Sequence, residues 1–392
     1  LKILYHHRVV ARDGQDVHIT EMIAAMRRQG HQVTMVAPPI AEAPIAAGVT
    51  ARPNLLARTR KAMPRWLHES LETGYSLIAF SQLLVAWRKS RPDLIYERYN
   101  LFCWSGFWLH RLTGLPYILE VNSPLVWERS RHGGLALRRF AAWTEASLWR
   151  SATLVLPVTE VLAARVRAAG VSPDRILVLP NGVDRGKFVS GGENRTLRSQ
   201  LGLADKLVLG FTGFIREWHG LPRVIDALAG FEDRDRLHFL VIGDGPGLKA
   251  LQDHARMLGM SQHLTCLGLV PRDQIVGLTE CFDIALQPEV VDYASPLKLL
   301  EYMALGRAIL APDQPNIREL LSPGENALLF DPADPRQFHD RLAELIKDET
   351  LRRRLAQAAS ATIEAKRLTW DDNVLKILDS LAKKSAGPRV PQ

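Results

Sequence analysis

The chain has 392 residues, 47% of them hydrophobic and 23% charged, a balance that suits a soluble globular protein of two or three domains with sizeable cores. Cys103, Cys266 and Cys281 stand singly, which speaks against a disulfide framework or a cysteine-held metal and for a reducing compartment. The net charge of +8 is uneven: residues 1–180 hold 23 Lys and Arg against 13 Asp and Glu, hence +10, while the remainder holds 27 against 29, hence −2. An anionic partner is therefore expected on the first half.

The opening LKILYHH lacks a basic segment followed by an apolar one, so no secretory leader is expected. Two long uncharged stretches, 73–87 and 99–110, fall short of the ~20 residues that span a bilayer and are expected as buried helices.

Short β-branched runs alternate with longer helical patterns, the signature of parallel α/β sheets. The first half offers runs at 2–7, 32–38, 94–99, 117–122, 153–159 and 176–182. The second restarts the rhythm at 207–213, 239–245, 264–270, 284–288, 308–313 and 327–332. Two doubly wound domains are expected, 1–180 and 181–350, with the glycine-rich stretch 181–194 as linker. A helical segment over 351–384 and a frayed tail, 385–392, follow. Ligands of such sheets bind beyond the carboxyl ends of the strands, and two joined sheets are expected to face one another across a cleft.

After the first strand come His6, His7 and Arg8, a loop, and a helix from about Gln15 to Gly30 that Asp13 or Gly14 could cap. Arg8 and Gly14 would line the cleft wall; the plainer alternative is a strand end and a turn. His6, His7 and His18 raise the question of a metal, but no carboxylate or cysteine stands at a ligand spacing, and none is expected.

After the seventh strand, GFTGFIREWHG (210–220) places Gly213 and Gly220 for close backbone approach, with Arg216 and His219 supplying charge, a phosphate-binding pattern. The turn VIGDGPG (241–247), which includes Gly243, lacks dinucleotide spacing and reads as mainly structural. Asp233-Arg234-Asp235 matches a metal-binding D-x-D pattern but lies before a strand, where a solvated loop explains it better.

The stretch YASPLKLLEYMALG (293–306) reads as a helix, with Ser295 as N-cap, Pro296 first and Gly306 just past the end. A capping box would want Glu or Gln where Lys298 stands, and a cation at the positive end of a helix costs roughly 0.3–1 kcal/mol. Pro296 has no N–H, which leaves the amides of Ser295, Leu297 and Lys298 as an anion cradle. Lys298 is read as a phosphate ligand, against the plainer Lys298–Glu301 pair at i,i+3.

PNGVD (180–184), GDGP (243–246), SPLKLLEYMALGRAIL (295–310) and NALLFDPAD (326–334) resemble glycosyltransferase family 4, and the resemblance covers nearly the whole chain. It implies a GT-B fold of two Rossmann-like α/β domains, the nucleotide-sugar donor held by the carboxyl-terminal domain and the acceptor by the amino-terminal one. It also implies anomeric retention, no obligatory metal, no cofactor beyond the nucleotide-diphosphate sugar as co-substrate, and a final helix with Trp370 crossing back.

Carried over by residue, Glu301 matches the second glutamate of an E-x7-E pattern and would accept from the donor's ribose hydroxyls; the first falls on Tyr293. Phe214 stands where the family often has arginine and His219 where it has lysine, so Arg216 would take over part of the diphosphate charge. Arg216, Lys298 and Glu301 are thus the expected catalytic set. Gly213, His219, Gly220, Gly243, Val270, Tyr293, Ser295, Pro296 and Leu297 would hold the donor. Asn122 replaces a common histidine and joins Arg8 and Gly14 on the acceptor side.

The implied activity is hexosyl transfer to a hydroxyl of a glycan or lipid-linked acceptor, in cell-surface polysaccharide or glycolipid synthesis. Tyr293 and Asn122 keep a non-catalytic nucleotide-sugar-binding protein open as the alternative. No recognition helix or aromatic-interleaved sheet supports nucleic-acid binding. Residues 51–70 set Arg52, Arg58, Arg60, Lys61 and Arg65 against Glu69 alone, interleaved with Leu55, Leu56, Met63, Trp66 and Leu67. That pattern suggests a segment lying on an anionic bilayer, in two pieces because of Pro64, against the plainer alternative of a solvated linker between the second and third strands; a cytoplasmic protein is expected, peripheral on the inner membrane face if the segment docks.

Overall fold

The computed structural model describes residues 1–10, 14–38, 63–189, 191 and 194–385. They form two compact units, Leu1–Leu179 with Ile377–Gln392, and Pro180–Lys376.

In the first unit, strands β1 (Lys2–His6), β2 (Gln32–Val36), β3 (Leu94–Arg98), β4 (Tyr117–Val121) and β5 (Leu154–Pro157) form a parallel sheet in the order β2-β1-β3-β4-β5. β3, β4 and β5 are buried along their whole length, which explains their near-continuous apolar sequences. Helices α1 (Gly14–Arg28), α2 (Arg65–Ser90), α3 (Ser105–Thr113), α4 (Leu125–His132), α5 (Arg138–Ser151) and α6 (Glu160–Ala168) connect them. The order reverses between β1 and β3, where His6 stands opposite Glu97.

The run 176–182 is not a strand. It lies extended along β5, with the Leu177 and Leu179 amides donating to Val155 and Pro157 at 3.0 and 2.9 Å, until the next amide of the alternation, Asn181, turns to Ser295 instead. The stretch 73–87 is helical but not buried. It lies within α2, which turns Ser76, Ala79 and Leu83 inward and leaves Leu77, Ile78 and Val85 exposed.

In the second unit, α7 (Arg195–Gln200), β6 (Leu207–Thr212), α8 (Pro222–Ala229), β7 (Leu237–Ile242), α9 (Leu248–Met257), β8 (Leu264–Cys266), α10 (Ile275–Thr279) and β9 (Ile284–Leu286) follow in turn. Then come α11 (Leu297–Ala304), β10 (Ala308–Pro312), α12 (Pro315–Arg318), β11 (Leu328–Phe330), α13 (Pro335–Lys347), α14 (Glu349–Ala365) and α15 (Trp370–Ser385). The sheet is parallel throughout, ordered β11-β10-β9-β6-β7-β8. Its order reverses between β6 and β9, so the turn after β6 and the helix after β9 flank the switch point where such sheets bind ligands.

The start of the expected linker is packed rather than free. Val183 is buried, and its amide donates to Leu368 at 3.0 Å. The segment 351–384 divides in two. α14 buries Leu355, Ala359 and Ile363 in the second unit, whereas the residues of α15 from Ile377 onward group with the first. Arg367, at φ 52°, makes the break, and the Thr369 hydroxyl accepts from the Asp372 amide to start the next helix. Residues 386–392 of the tail fall outside the described residues. Among the described residues, no helix is long and apolar enough to cross a membrane.

Candidate functional site

The turn after β6 is built by glycines that let two loops interlock. Gly213 has φ 128° and Gly243 has φ 136°, and a Cβ on Gly243 would overlap the Gly213 carbonyl. The Gly213 amide donates to Ile242 at 2.9 Å and the Ile215 amide to Asp244 at 2.9 Å. Gly243 therefore shapes the Gly213 turn from behind. Gly220, at φ 64°, needs glycine for its left-handed backbone, and a Cβ there would lie 2.6 Å from the carboxyl carbon of the Glu289 side chain.

α11 is fastened to the same turn by Tyr302, whose hydroxyl accepts from the Thr212 amide at 2.8 Å. One turn earlier on α11, the Lys298 ammonium lies 3.8 Å from the centroid of the Phe211 ring. A Cβ on Gly213 would lie 3.3 Å from the same nitrogen. Burial pulls the Lys298 pKa down to about 7, against the upward pull of Glu301. The lysine thus has little solvent around its charge and gains from an incoming anion.

The helix start differs from the sequence expectation. Pro296 is the cap residue and offers no side-chain hydrogen bond. Ser295 is buried and spent elsewhere: its hydroxyl accepts from the Asn181 amide at 3.0 Å, and its carbonyl from Asn181 Nδ2 at 2.5 Å. Ser295 therefore ties the incoming chain at 181 to α11 rather than capping the helix. Leu297 and Lys298 keep first-turn amides aimed out of the helix.

Arg216 is half-buried, its guanidinium 4.8 Å from the Phe214 ring and 4.9 Å from the Trp218 ring. Both aromatic residues are a little under half exposed. Phe214, standing where an arginine is common, thus serves to stack the arginine two residues on. His219 Nδ1 accepts from the Arg216 amide at 3.2 Å, which places the ring proton on Nε2. Burial, with Lys298 and Arg216 nearby, pushes its pKa down to about 3, so the ring is a neutral donor at physiological pH.

Gly213, Arg216, His219 and Lys298 accordingly come together around one turn. Glu301 lies on α11 one turn beyond Lys298, and Tyr293 is buried in the loop before it. Val270 follows β8, two strands from β6, and packs against the core. Asp233-Arg234-Asp235 lies on a helical turn before β7, at the opposite end of the sheet.

In the first unit, Arg8 stacks 4.5 Å from the Tyr75 ring, and Gly14 opens α1, while Asp13 lies outside the described residues. Asn122 Nδ2 donates to Glu120 at 2.5 Å, within a network not anticipated from the sequence. Glu120 also receives the Tyr96 hydroxyl at 2.6 Å and Arg98 at 2.8 Å, with His18 2.9 Å away. Burial alone would raise this carboxyl, but His18, Arg98 and Tyr96 together hold it well below the ordinary carboxylate range. The available signal was charge inside otherwise apolar strands, in LIYERY and YILEVN.

The three histidines do not converge on one point: His6 pairs with Glu97 at 3.1 Å, His18 with Glu120, and His7 Nδ1 accepts from the Val9 amide. His6, Glu97 and Cys103 do approach one another, all buried. Burial, with Glu97 beside it, pushes the Cys103 thiol up to about 12, which keeps it protonated.

Each unit is a parallel α/β sheet, and in the second a glycine-shaped turn and a helix start flank the switch point; comparison with known proteins says which family this is. The model of the glycosyl transferase 4-like domain matches residues 13–182, and that of glycosyl transferases group 1 matches residues 193–362. The chain belongs to glycosyltransferase family 4, is a glycosyltransferase and has the GT-B fold.

A D-inositol 3-phosphate glycosyltransferase of Corynebacterium urealyticum is 27% identical over 332 residues, 79% of this chain and 76% of that protein. An alpha-D-kanosaminyltransferase of Streptomyces kanamyceticus is 24% identical over 86% of this chain and 90% of its own length. Among solved structures, HepE of Anabaena in complex with UDP superposes with a TM-score of 0.74 at 18% identity, over 98% of this chain and 100% of that one.

Proposed function

We propose that this glycosyltransferase takes a sugar from a nucleoside-diphosphate sugar and transfers it, with retention, to a hydroxyl of a glycan or lipid-linked acceptor. The observation that carries the reading is the Lys298 ammonium held beside Gly213 and the Phe211 ring at the start of α11, with Arg216 and His219 in the loop that follows the same turn. Charge grows on the diphosphate as the bond from the anomeric carbon to the phosphate oxygen breaks. Donors already fixed around that charge supply the largest share of such catalysis. The acceptor oxygen bonds the anomeric carbon, and its proton leaves to the departing phosphate, which serves as base. Neutral His219 offers Nε2–H to a phosphate or sugar oxygen, and Glu301 takes the ribose hydroxyls.

HepE has been crystallised with UDP and with UDP-glucose, which supports a nucleotide donor here. The reaction needs no metal on this reading, because the protein supplies the positive charge. The same reading places the enzyme in the cytoplasm at the inner membrane face, in surface polysaccharide or glycolipid synthesis. Its acceptor side would lie at Arg8, Gly14 and Asn122. Residues 51–62 of the basic segment lie outside the described residues; from Arg65 the chain is helical.

A thermal-shift screen against UDP, GDP and ADP sugars tests the donor. A true donor at 100 times its dissociation constant adds about 2.7 kcal/mol, and silence across all three classes would refute the reading.

A further inference from the structure

α2 is 26 residues long and carries several large apolar side chains on its outward face. Trp66, Leu71, Leu77, Ile78 and Val85 are each at least half exposed. Exposed residues 71, 74, 78, 81 and 85 recur at steps of three and four, which makes one continuous stripe. From Leu71 to Val85 it runs about 21 Å at the helical rise. The residues between these apolar ones on the exposed face are Ser70, Gly74, Ser81 and Gln82, all uncharged.

Both acids of α2 face the protein and are engaged there. Buried Glu69 accepts from the Ala136 and Leu137 amides at 2.8 Å each, and Glu72 holds Arg129 at 2.7 Å. Exposed cations stand at the two ends of the stripe, Arg65 before it and Arg88 and Lys89 after it. A stripe of this extent on a surface helix marks a docking face. The absence of any outward carboxylate, with cations at both ends, matches an anionic interface.

We propose that the outward face of α2 lies on an anionic lipid bilayer, with Leu71, Leu77, Ile78 and Val85 in the acyl boundary. Trp66 and the terminal cations sit among the headgroups. This deepens the membrane reading of residues 51–70 and moves its apolar component onto the helix that follows them. Anchoring by two terms, apolar area and charge, gives binding that salt weakens but does not abolish.

The test is co-sedimentation with phosphatidylglycerol-containing and pure phosphatidylcholine vesicles across a salt series from about 0.05 to 0.5 M. Wild type is compared with Leu77→Glu/Ile78→Glu, with Arg58/Arg60/Lys61→Ser, and with Met257→Glu, an exposed control on α9. Circular dichroism and nucleotide binding in solution report the fold and the donor site separately. The expected result is a roughly tenfold or greater loss of partitioning for Leu77→Glu/Ile78→Glu at every salt concentration, with Met257→Glu unchanged.

The arginine and lysine variant should lose only the salt-sensitive part. If it alone abolishes binding while Leu77→Glu/Ile78→Glu binds as wild type, the 51–70 reading stands and this one fails. Failure of wild type to bind anionic vesicles at the lowest salt overturns both. A wild-type dimer that Leu77→Glu/Ile78→Glu dissociates, without vesicle binding, shows that the face pairs with a second copy instead.

Discussion

Lys298 holds its ammonium over the Phe211 ring, 3.8 Å from the centroid, and beside Gly213, where a Cβ would lie 3.3 Å from the same nitrogen. The pair joins the helix after β9 to the strand at the centre of the sheet, and it couples binding to protonation. Burial lowers the lysine pKa to about 7, so only part of the population is charged at neutral pH.

A diphosphate binds the protonated form better and raises the pKa of the bound lysine. Affinity for a nucleoside diphosphate should therefore be greatest below pH 7 and fall as pH rises toward the bound value. At pH 7.5, calorimetry in buffers of different ionisation enthalpy should show net proton uptake. Proton release, or affinity independent of pH from 6 to 9, would remove Lys298 from the phosphate.

Gly243→Ala should lower stability by roughly 3 kcal/mol or more and weaken donor binding, because the new Cβ overlaps the Gly213 carbonyl at a φ that favours glycine. Gly259→Ala, at φ 67° with open space around it, is the control and should cost only about 1–2 kcal/mol. Equal melting temperatures for the two variants would mean that the interlocked turns are not needed.

Glu145 lines a cavity of about 420 Å³ with Trp127 and Trp149, and burial raises its carboxyl pKa to about 7. A carboxyl whose folded pKa lies above the unfolded value contributes stability that is full below about pH 4.5 and is lost as pH rises through about 7. One oxygen, Oε2, accepts from both the Tyr99 hydroxyl and the Val126 amide, so glutamine can keep both bonds. Glu145→Gln should therefore melt near wild type at pH 5 and above it at pH 8. A gap that does not widen with pH would place the ionisation elsewhere.

Glu301→Gln should weaken a ribonucleotide by roughly 1.5–3 kcal/mol, the scale of hydrogen bonds to a charged group. A 2′,3′-dideoxynucleotide should bind both forms alike. If titration shows equal losses for the ribo and dideoxy forms, Glu301 supports the helix and not the sugar.

The strand rhythm was legible because parallel strands buried on both faces leave uninterrupted apolar runs, and eleven of the twelve runs became strands. The twelfth, 176–182, looked the same but lies at the edge of its sheet, makes a single bridge to β5 and contains Pro180. Around Lys298, the local pattern showed that a cation sat at a helix start, yet Ser295 read as a cap when its true partner, Asn181, is 114 residues away. The Glu120 network also depends on contacts between distant strands. The outward face of α2 was hidden because an uncharged stretch looks the same whether a core covers it or nothing does.

The most direct measurement is a pair of calorimetric titrations, of the matching nucleoside and of its diphosphate, into wild type and Lys298→Ala. The variant should lose about tenfold or more in affinity for the diphosphate, roughly 1.4 kcal/mol, while the nucleoside stays within about twofold. Its melting temperature should hold or rise slightly, since a cation leaves the positive end of α11. Equal losses for nucleoside and diphosphate would contradict the assignment of Lys298 and its turn to the donor phosphates.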